Sequence, residues 1–371
     1  MKLTIAVLPG DGIGPEVIKQ SKKVLEAIAH QFNHTFIFKE GLIGAAAIEK
    51  EGVPLPQKTL DLCLEADAIL FGAVGTRQYD NDPTFTVRPE HGLLQLRKSL
   101  ELYCSIRPVK VFEQLLDKSP LKREIIHDVD FQIYRELAGG MYYGEKAVSK
   151  DKKTASDVCE YTEQEVEKIT HLAFKAAQKR RKKVTLVDKA NILESSRLWR
   201  QVVLKVAKQY KDVTLDFLFI DNASIKIITN PREFDIILTQ NMFGDILSNE
   251  ASVLECSIGL MASAEVGEKY ALFKPIHGSY SLAKGKSIAN PIASILSAAM
   301  LLENFGLFNE SEMVQKAVNK SLDLQIITSD INKNSNFSTA KVGDFIADVI
   351  YYPDDSDMNF NNIHIGQSTI I

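Results

Sequence analysis

The sequence predicts an α/β protein in which two domains are interleaved along one chain. Three observations carry that expectation. Short apolar runs alternate with longer stretches of helical period, the pattern of strands joined through helices. The chain has 371 residues, room for two domains at roughly 150 residues each. No internal repeat and no Pro/Gly/Ser-rich linker interrupts it, so a second domain must lie within the first rather than after it.

Composition narrows the class. Hydrophobic residues make up 45% and charged residues 25%, as in a globular protein and unlike a disordered chain, a fibre or a disulfide scaffold. The formal net charge of −4 gives no bias toward nucleic acid, so an anionic ligand needs a local group of cations. Cys63, Cys104, Cys159 and Cys256 form no CxxC pair, which points to reduced thiols. The amino-terminal apolar run breaks at Pro9-Gly10, too early for a signal peptide. The longest apolar stretch, 288–302, is interrupted by Asn290, Pro291, Ser294 and Ser297 and falls short of a membrane span. A cytoplasmic protein with no nucleic-acid or membrane partner is expected.

The elements follow in order. Residues 2–8 read as a buried strand, and Pro15 opens a helix with Val17, Ile18, Val24, Leu25 and Ile28 at helical spacing. Residues 67–73 read as a strand and 91–102 as a helix. A strand within 125–134 ends at Arg135. Then come a helix over 162–180, a strand over 183–187, a helix over 194–210, and strands over 213–219 and 235–239. Helices over 242–254, 289–304 and 311–322 close the pattern. The basic run Lys179–Lys183 reads as a solvated helix end. The tail from Tyr351 is polar and Asn-rich, and carries no readable function.

Several segments carry chemistry. GDGIGPE lacks the GxGxxG spacing and the later acidic residue of a dinucleotide fingerprint, so it reads as a tight strand-to-helix turn. Arg97, Arg107 and Arg135 suit a dicarboxylate if they converge, because the planar guanidinium binds carboxylates bidentately. Taken singly, each reads first as a surface ion pair. Glu90, Leu93, Leu94 and Arg97 can share one helix face, placing an apolar wall beside the charges. Asp245 and Asn249 are four apart on a helix, and with Asp221 they form an oxygen-rich set suited to Mg²⁺ or Mn²⁺. Lys189 follows an apolar strand, where loops of open α/β sheets carry ligands. His277, Gly278, Ser279 and Asn290 lie in a small-residue loop that can cradle a nucleotide.

The ordered segments GDGIGPE, RPEHGLLQLRK, RELAGGMYYGE, VDKANILE, NMFGDILSNEAS and HGS with GK and IANP strongly resemble the 3-isopropylmalate dehydrogenase family. This family belongs to the metal-dependent β-decarboxylating dehydrogenases, with the isocitrate and tartrate enzymes. The match runs from residue 3 to about residue 347. The resemblance implies an isopropylmalate-dehydrogenase-like fold, distinct from the classical Rossmann fold. It implies one domain of residues 1–102 plus 256–371 and another of residues 103–255. It further implies homodimers with shared active sites, and NAD and Mg²⁺ or Mn²⁺ as cofactors.

Carried over residue by residue, Arg97, Arg107 and Arg135 match the substrate-carboxylate clamp, and Tyr142 the proton donor. Lys189 matches the base, and Asp221 a substrate-site metal ligand, both supplied by the partner subunit. Asp245 and Asn249 match metal positions within the site. Glu90 and Leu93 match positions at the nicotinamide end and the substrate's alkyl group. His277, Gly278, Ser279 and Asn290 match the adenosine loop. The implied reaction oxidises a 2-hydroxy acid with Lys189 as base. CO₂ then leaves with metal assistance, and Tyr142 protonates the resulting carbon.

Leu93 and Leu94 cannot satisfy an extra carboxylate but suit an isopropyl group. The expected substrate is therefore 3-isopropylmalate and the product 4-methyl-2-oxopentanoate, in leucine biosynthesis. Four residues depart from the family pattern. Asn249 replaces an aspartate and Leu282 replaces the ribose-binding aspartate. Lys274 replaces a glutamate, and Ala262 a proline. These leave two rivals open: an enzyme for tartrate, malate or homoisocitrate, and a non-catalytic subunit of this fold.

Overall fold

In the computed structural model, which describes residues 1–353 apart from 81 and 83, one ten-stranded sheet runs through the molecule. The strands are β1 (Lys2–Gly10), β2 (Thr35–Glu40), β3 (Ala68–Ala73), β4 (Cys104–Lys110), β5 (Asp130–Glu136), β6 (Lys146–Val148), β7 (Ala155–Asp157), β8 (Lys183–Asp188), β9 (Thr214–Phe219), β10 (Ile236–Thr239), β11 (Ala262–Val266) and β12 (Ala271–Pro275). The sheet order is β2-β1-β3-β12-β11-β4-β5-β10-β8-β9, and β6 and β7 form a separate hairpin.

Two parallel wings meet in an antiparallel centre. Strands β2, β1, β3 and β12 run parallel, as do β5, β10, β8 and β9. Strand β11 is antiparallel to both β12 and β4, and β4 is antiparallel to β5. Parallel strands need crossover helices on their faces, which explains the alternation in the sequence.

Each wing has its own apolar packing. Helices Gly14–Gln31, Ile292–Asn304, Phe308–Asp323 and Thr339–Tyr351 bury Val24, Leu25, Ile295, Leu302, Val318 and Ile346 against β1, β3 and β12. Helices Glu163–Gln178 and Glu194–Ala207 bury Phe174, Trp199 and Val203 against β8 and β10. Thr162 caps the first of these through the Glu165 amide, and Glu165 reaches back to the Thr162 amide.

The GDGIGPE segment is a tight turn with no dinucleotide fingerprint. Gly10 and Gly12 have φ of 69° and 59°, a region that suits glycine. A Cβ on Gly14 would lie 2.2 Å from the Pro9 carbonyl oxygen, so strand and helix approach too closely for any side chain. Asp11 is buried and accepts from the amides of Ala45, Ala46 and Gly75 at 2.8, 2.9 and 2.9 Å. Its carboxylate thus ties two separate segments, 45–46 and residue 75, to the end of β1.

Several sequence readings need correction. Strands β2, β4, β11 and β12 and the helices Ile220–Thr229 and Thr339–Tyr351 were not expected. Residues 123–126 form a short helix before β5. The basic run is not simply solvated. Arg180 is half-buried and bridges Asp130 and Asp235, at 2.6 and 2.9 Å. The polar tail from residue 354 onward lies outside the described residues.

The two sheet faces at the centre differ in character. On one, Ile106, Tyr134, Ala264 and Phe273 line a cavity of about 860 Å³ between the wings. Glu255 also lines it, accepting from the Lys110 amide at 3.0 Å. Burial pushes its carboxyl from 4.5 up to about 8. The fold then keeps Glu255 protonated while the unfolded chain ionises, so its contribution to stability is present below about pH 4.5 and is lost as pH rises toward 8. Glu255→Gln is expected to shrink the fall in Tm between about pH 5 and about pH 8, measured by thermal denaturation at both pH values.

Candidate active site

The opposite face of the same central strands carries the charges. Register places Ser105 of β4 level with Arg135 of β5 on one side and Glu265 of β11 on the other. Arg107 lies two residues along β4, hence on the same face. Lys274 of β12 is opposite Ser263 of β11, one step diagonal to Glu265. All six side chains are buried.

Arg97 reaches this face from helix Pro89–Ser99, and Glu265 grips it bidentately. Arg97 Nε and Nη2 lie 2.8 and 2.5 Å from the two carboxylate oxygens. Glu265 is fully buried, yet Arg97 outweighs that burial and holds its carboxyl below the ordinary value. Burial pushes the Lys274 ammonium down to about 7, against the pull of Glu265. The lysine that departs from the family pattern thus sits inside the site, while Ala262 opens β11 with no polar contact of its own.

Arg107 and Arg135 share Asp245, on helix Asn241–Ala251. Arg107 Nη1 lies 3.3 Å from Asp245 Oδ1, and Arg135 Nη1 bonds the same oxygen. Asn241 fixes Arg135 from below, accepting its Nε at the main-chain oxygen at 2.8 Å and its Nη2 at the side chain at 2.9 Å. Tyr142 donates to Asp245 Oδ2 at 3.1 Å, and its ring lies 5.6 Å from the Arg135 guanidinium. Burial favours a protonated Asp245, but Arg135 and Arg107 prevail and hold its carboxyl low. Burial and Asp245 push the Tyr142 phenol up, so it keeps its proton.

Asn249 lies one turn along the helix and is exposed. Its amide nitrogen donates to the Asp245 main-chain oxygen at 3.1 Å, and its carbonyl oxygen has no hydrogen-bond partner among the described residues. Lys189 and Asp221 are elsewhere. They are ion-paired with each other after β8 and in the first turn of helix Ile220–Thr229, and Lys189 Nζ lies 6.0 Å from the Phe219 ring. No hydrogen bond or ion pair links either one to Asp245 among the described residues. Within one chain hydrogen bonds thus join Arg107, Arg135 and Tyr142 to Asp245, whereas Lys189 and Asp221 are joined to each other.

A second cluster forms where β3 and the 277–290 loop meet. A Cβ on Gly75 would lie 2.8 Å from Glu90 Oε1 and 3.4 Å from Ser279 Oγ, so these groups crowd one glycine. The Ser279 carbonyl accepts from the Ile13 amide at 2.8 Å. Glu16 accepts from the amides of Gly285 and Ser287 at 2.5 and 3.0 Å and so orders the rest of the loop. His277 is buried, and its Nδ1 donates to the Gly278 carbonyl at 2.9 Å. Its Nε2 is then an acceptor, buried with no partner among the described residues. Burial pushes the ring down to about 4. Asn290 donates to Asp330 at 3.1 Å. Leu282, Lys284 and Lys286 are exposed. Leu93 packs partly into the core around Leu96, while Leu94 is half-buried outside that cluster.

Sequence reasoning missed Asp11, Asn241, Glu265 and Asp330. The alternation of charged and apolar residues in ASAEV and ALFKP is the signal that could have found the first strand carrying Glu265 and its neighbour carrying Lys274.

The comparisons agree with this geometry. A family model described as isocitrate/isopropylmalate dehydrogenase matches residues 4–346. A 3-isopropylmalate dehydrogenase from Bacteroides fragilis is 49% identical over 94% of this chain and 99% of its own. One from Bacillus subtilis is 49% identical over 92% of this chain and 95% of its own. The crystal structure of an isocitrate dehydrogenase from Methylococcus capsulatus superposes with a TM-score of 0.86 at 34% identity, covering 94% of this chain and 99% of that one. The chain belongs to the isocitrate/isopropylmalate dehydrogenase family.

Proposed function

We propose that this chain oxidises and decarboxylates 3-isopropylmalate with NAD, giving 4-methyl-2-oxopentanoate, CO₂ and NADH. The observation that carries the reading is the buried face on which Arg107, Arg135 and Tyr142 all engage Asp245. Converging guanidinium groups suit a dicarboxylate, and the names of the relatives at 49% identity support this one. The half-buried Leu94 and Leu93 beside Arg97 offer carbon, which suits an isopropyl group better than a further carboxylate.

The residues present fit both cofactors. Asp245, the free carbonyl oxygen of Asn249 and Asp221 are the hard oxygen donors that Mg²⁺ or Mn²⁺ prefers. The orphaned His277 Nε2, Asn290, Gly278, Ser279 and Glu90 suit a nucleotide. When bound, the metal stabilises negative charge on the substrate oxygen and NAD accepts hydride. The protein's own groups move protons. Lys189, oriented by Asp221, takes the proton of the substrate hydroxyl. Tyr142 returns one to the carbon that loses CO₂, so release and uptake balance.

Lys189 and Asp221 act in the site of a second copy. Ile225 and Ile246 support that homodimer. They are 62% and 54% exposed, on two helices that pack side by side, and a second copy would bury them. The same reading divides the chain into residues 1–102 with 256–371, and residues 103–255. Among the described residues no helix is long and apolar enough to cross a membrane.

Purified protein with 3-isopropylmalate, NAD⁺ and Mn²⁺ is expected to reduce NAD⁺, with isocitrate, malate, tartrate and NADP⁺ giving little. Silence toward 3-isopropylmalate, or a preference for another acid, overturns the reading. Tyr142→Phe should slow formation of 4-methyl-2-oxopentanoate by about 10²-fold or more, and unchanged turnover removes Tyr142 from the scheme. Asn249→Asp restores a charged ligand and is expected to tighten Mn²⁺ binding, read by metal titration of the protein without substrate.

A further inference from the structure

Tyr143 follows the proton donor in sequence, at a position the family motif RELxGGxYxGE leaves open. Its hydroxyl is buried and has no hydrogen-bond partner among the described residues. The groups that act on it electrostatically are Arg97, Glu265, Glu136 and Arg135. Two of these are guanidinium groups, which only donate. The two carboxylates are committed elsewhere. Both Glu265 oxygens are gripped by Arg97. Glu136 accepts from the Ala138 amide at 2.5 Å and the Gly139 amide at 3.0 Å. A hydroxyl proton thus sits beside Arg97 and Arg135 with no free acceptor supplied by the chain among the described residues.

Buried hydroxyls in proteins nearly always find a partner. The partner that can accept from this hydroxyl and from the guanidinium groups beside it is a carboxylate, and a hydroxyl donating to a carboxylate makes a short, charge-assisted bond. We propose that Tyr143 is a further substrate-binding residue, donating its hydroxyl to the substrate carboxylate beside Arg97, with Glu265 as the positioning residue that holds Arg97 in place. This rests on the dicarboxylate reading of the site. It gives neighbouring tyrosines different tasks: Tyr142 faces Asp245 and moves a proton, while Tyr143 faces Arg97 and holds an anion.

Tyr143→Phe removes one oxygen and keeps the ring. The dissociation constant of 3-isopropylmalate is measured by calorimetry with Mg²⁺ present and NAD⁺ absent, beside steady-state kinetics. In Tyr143→Phe the dissociation constant and KM for 3-isopropylmalate are expected to rise roughly tenfold, about 1.4 kcal/mol. The fall in kcat should be smaller than the rise in KM, and KM for NAD⁺ and Tm should stay put. Glu265→Gln loosens Arg97, so adding Tyr143→Phe in that background should cost less than in the wild type. If the wild type binds 3-isopropylmalate and Tyr143→Phe binds it equally well, the proposal falls and the reading of the site stands. A drop in Tm with unchanged affinity makes the hydroxyl structural and also overturns it. A wild type that neither binds nor turns over 3-isopropylmalate overturns the site reading, and this proposal with it.

Discussion

Four cationic side chains lie buried on one small area of sheet, and two carboxylates make that arrangement possible. Taking a charge out of water costs several kcal/mol unless it is paired and hydrogen-bonded. Glu265 meets that cost for Arg97 through both of its oxygens. Asp245 meets it for Arg107 and Arg135 together. The geometry of everything else follows from where those two carboxylates are anchored. Glu265 is held in the sheet itself, and Asp245 on a helix braced against β5 through Asn241 and Arg135. The arginines are therefore held in fixed orientations rather than drawn in from solvent, which lowers the entropy cost of any anion they bind.

The pairs differ in purpose. Asp245 is two-thirds covered and touches three partners through two oxygens, so a ligand that takes one arginine can leave it another. Glu265 has no exposed surface, and its grip on Arg97 is structural in the strict sense. Lys274 adds a positive charge beside it that the family pattern would make negative. The net charge of this corner is thereby kept from falling when β11 contributes a carboxylate of its own.

Much of this was legible in the sequence, and the exceptions have physical reasons. Strands β1, β3, β8 and β10 are legible because they are buried on both faces and appear as plain apolar runs. Strands β4, β11 and β12 were missed because one of their faces is the site. CSIRPVK and ASAEV alternate, and the polar half of the alternation reads as loop unless a buried charged face is imagined. Arg180 was misjudged because Asp130 and Asp235 lie about fifty residues away on either side and only the sheet brings them together. The site residues themselves came from resemblance rather than from spacing. For Lys189 and Asp221, the helix and strand positions held no hint that they pair with each other.

The contrast between the two faces of β4 bears on how this enzyme can change over generations. Arg107 points toward the charges and Ile106 toward the large cavity, one residue apart. Adding or deleting a single residue within the strand would exchange them, lodging a guanidinium among Phe273, Ala264 and Met300 and leaving Asp245 with one arginine fewer. Such a change damages both faces at once, and no second substitution nearby repairs it. The central strands are thus closed to variation in length, whereas the connections at the periphery can take insertions without shifting any register. What the site can still change is chemistry at constant register, as the lysine on β12 illustrates.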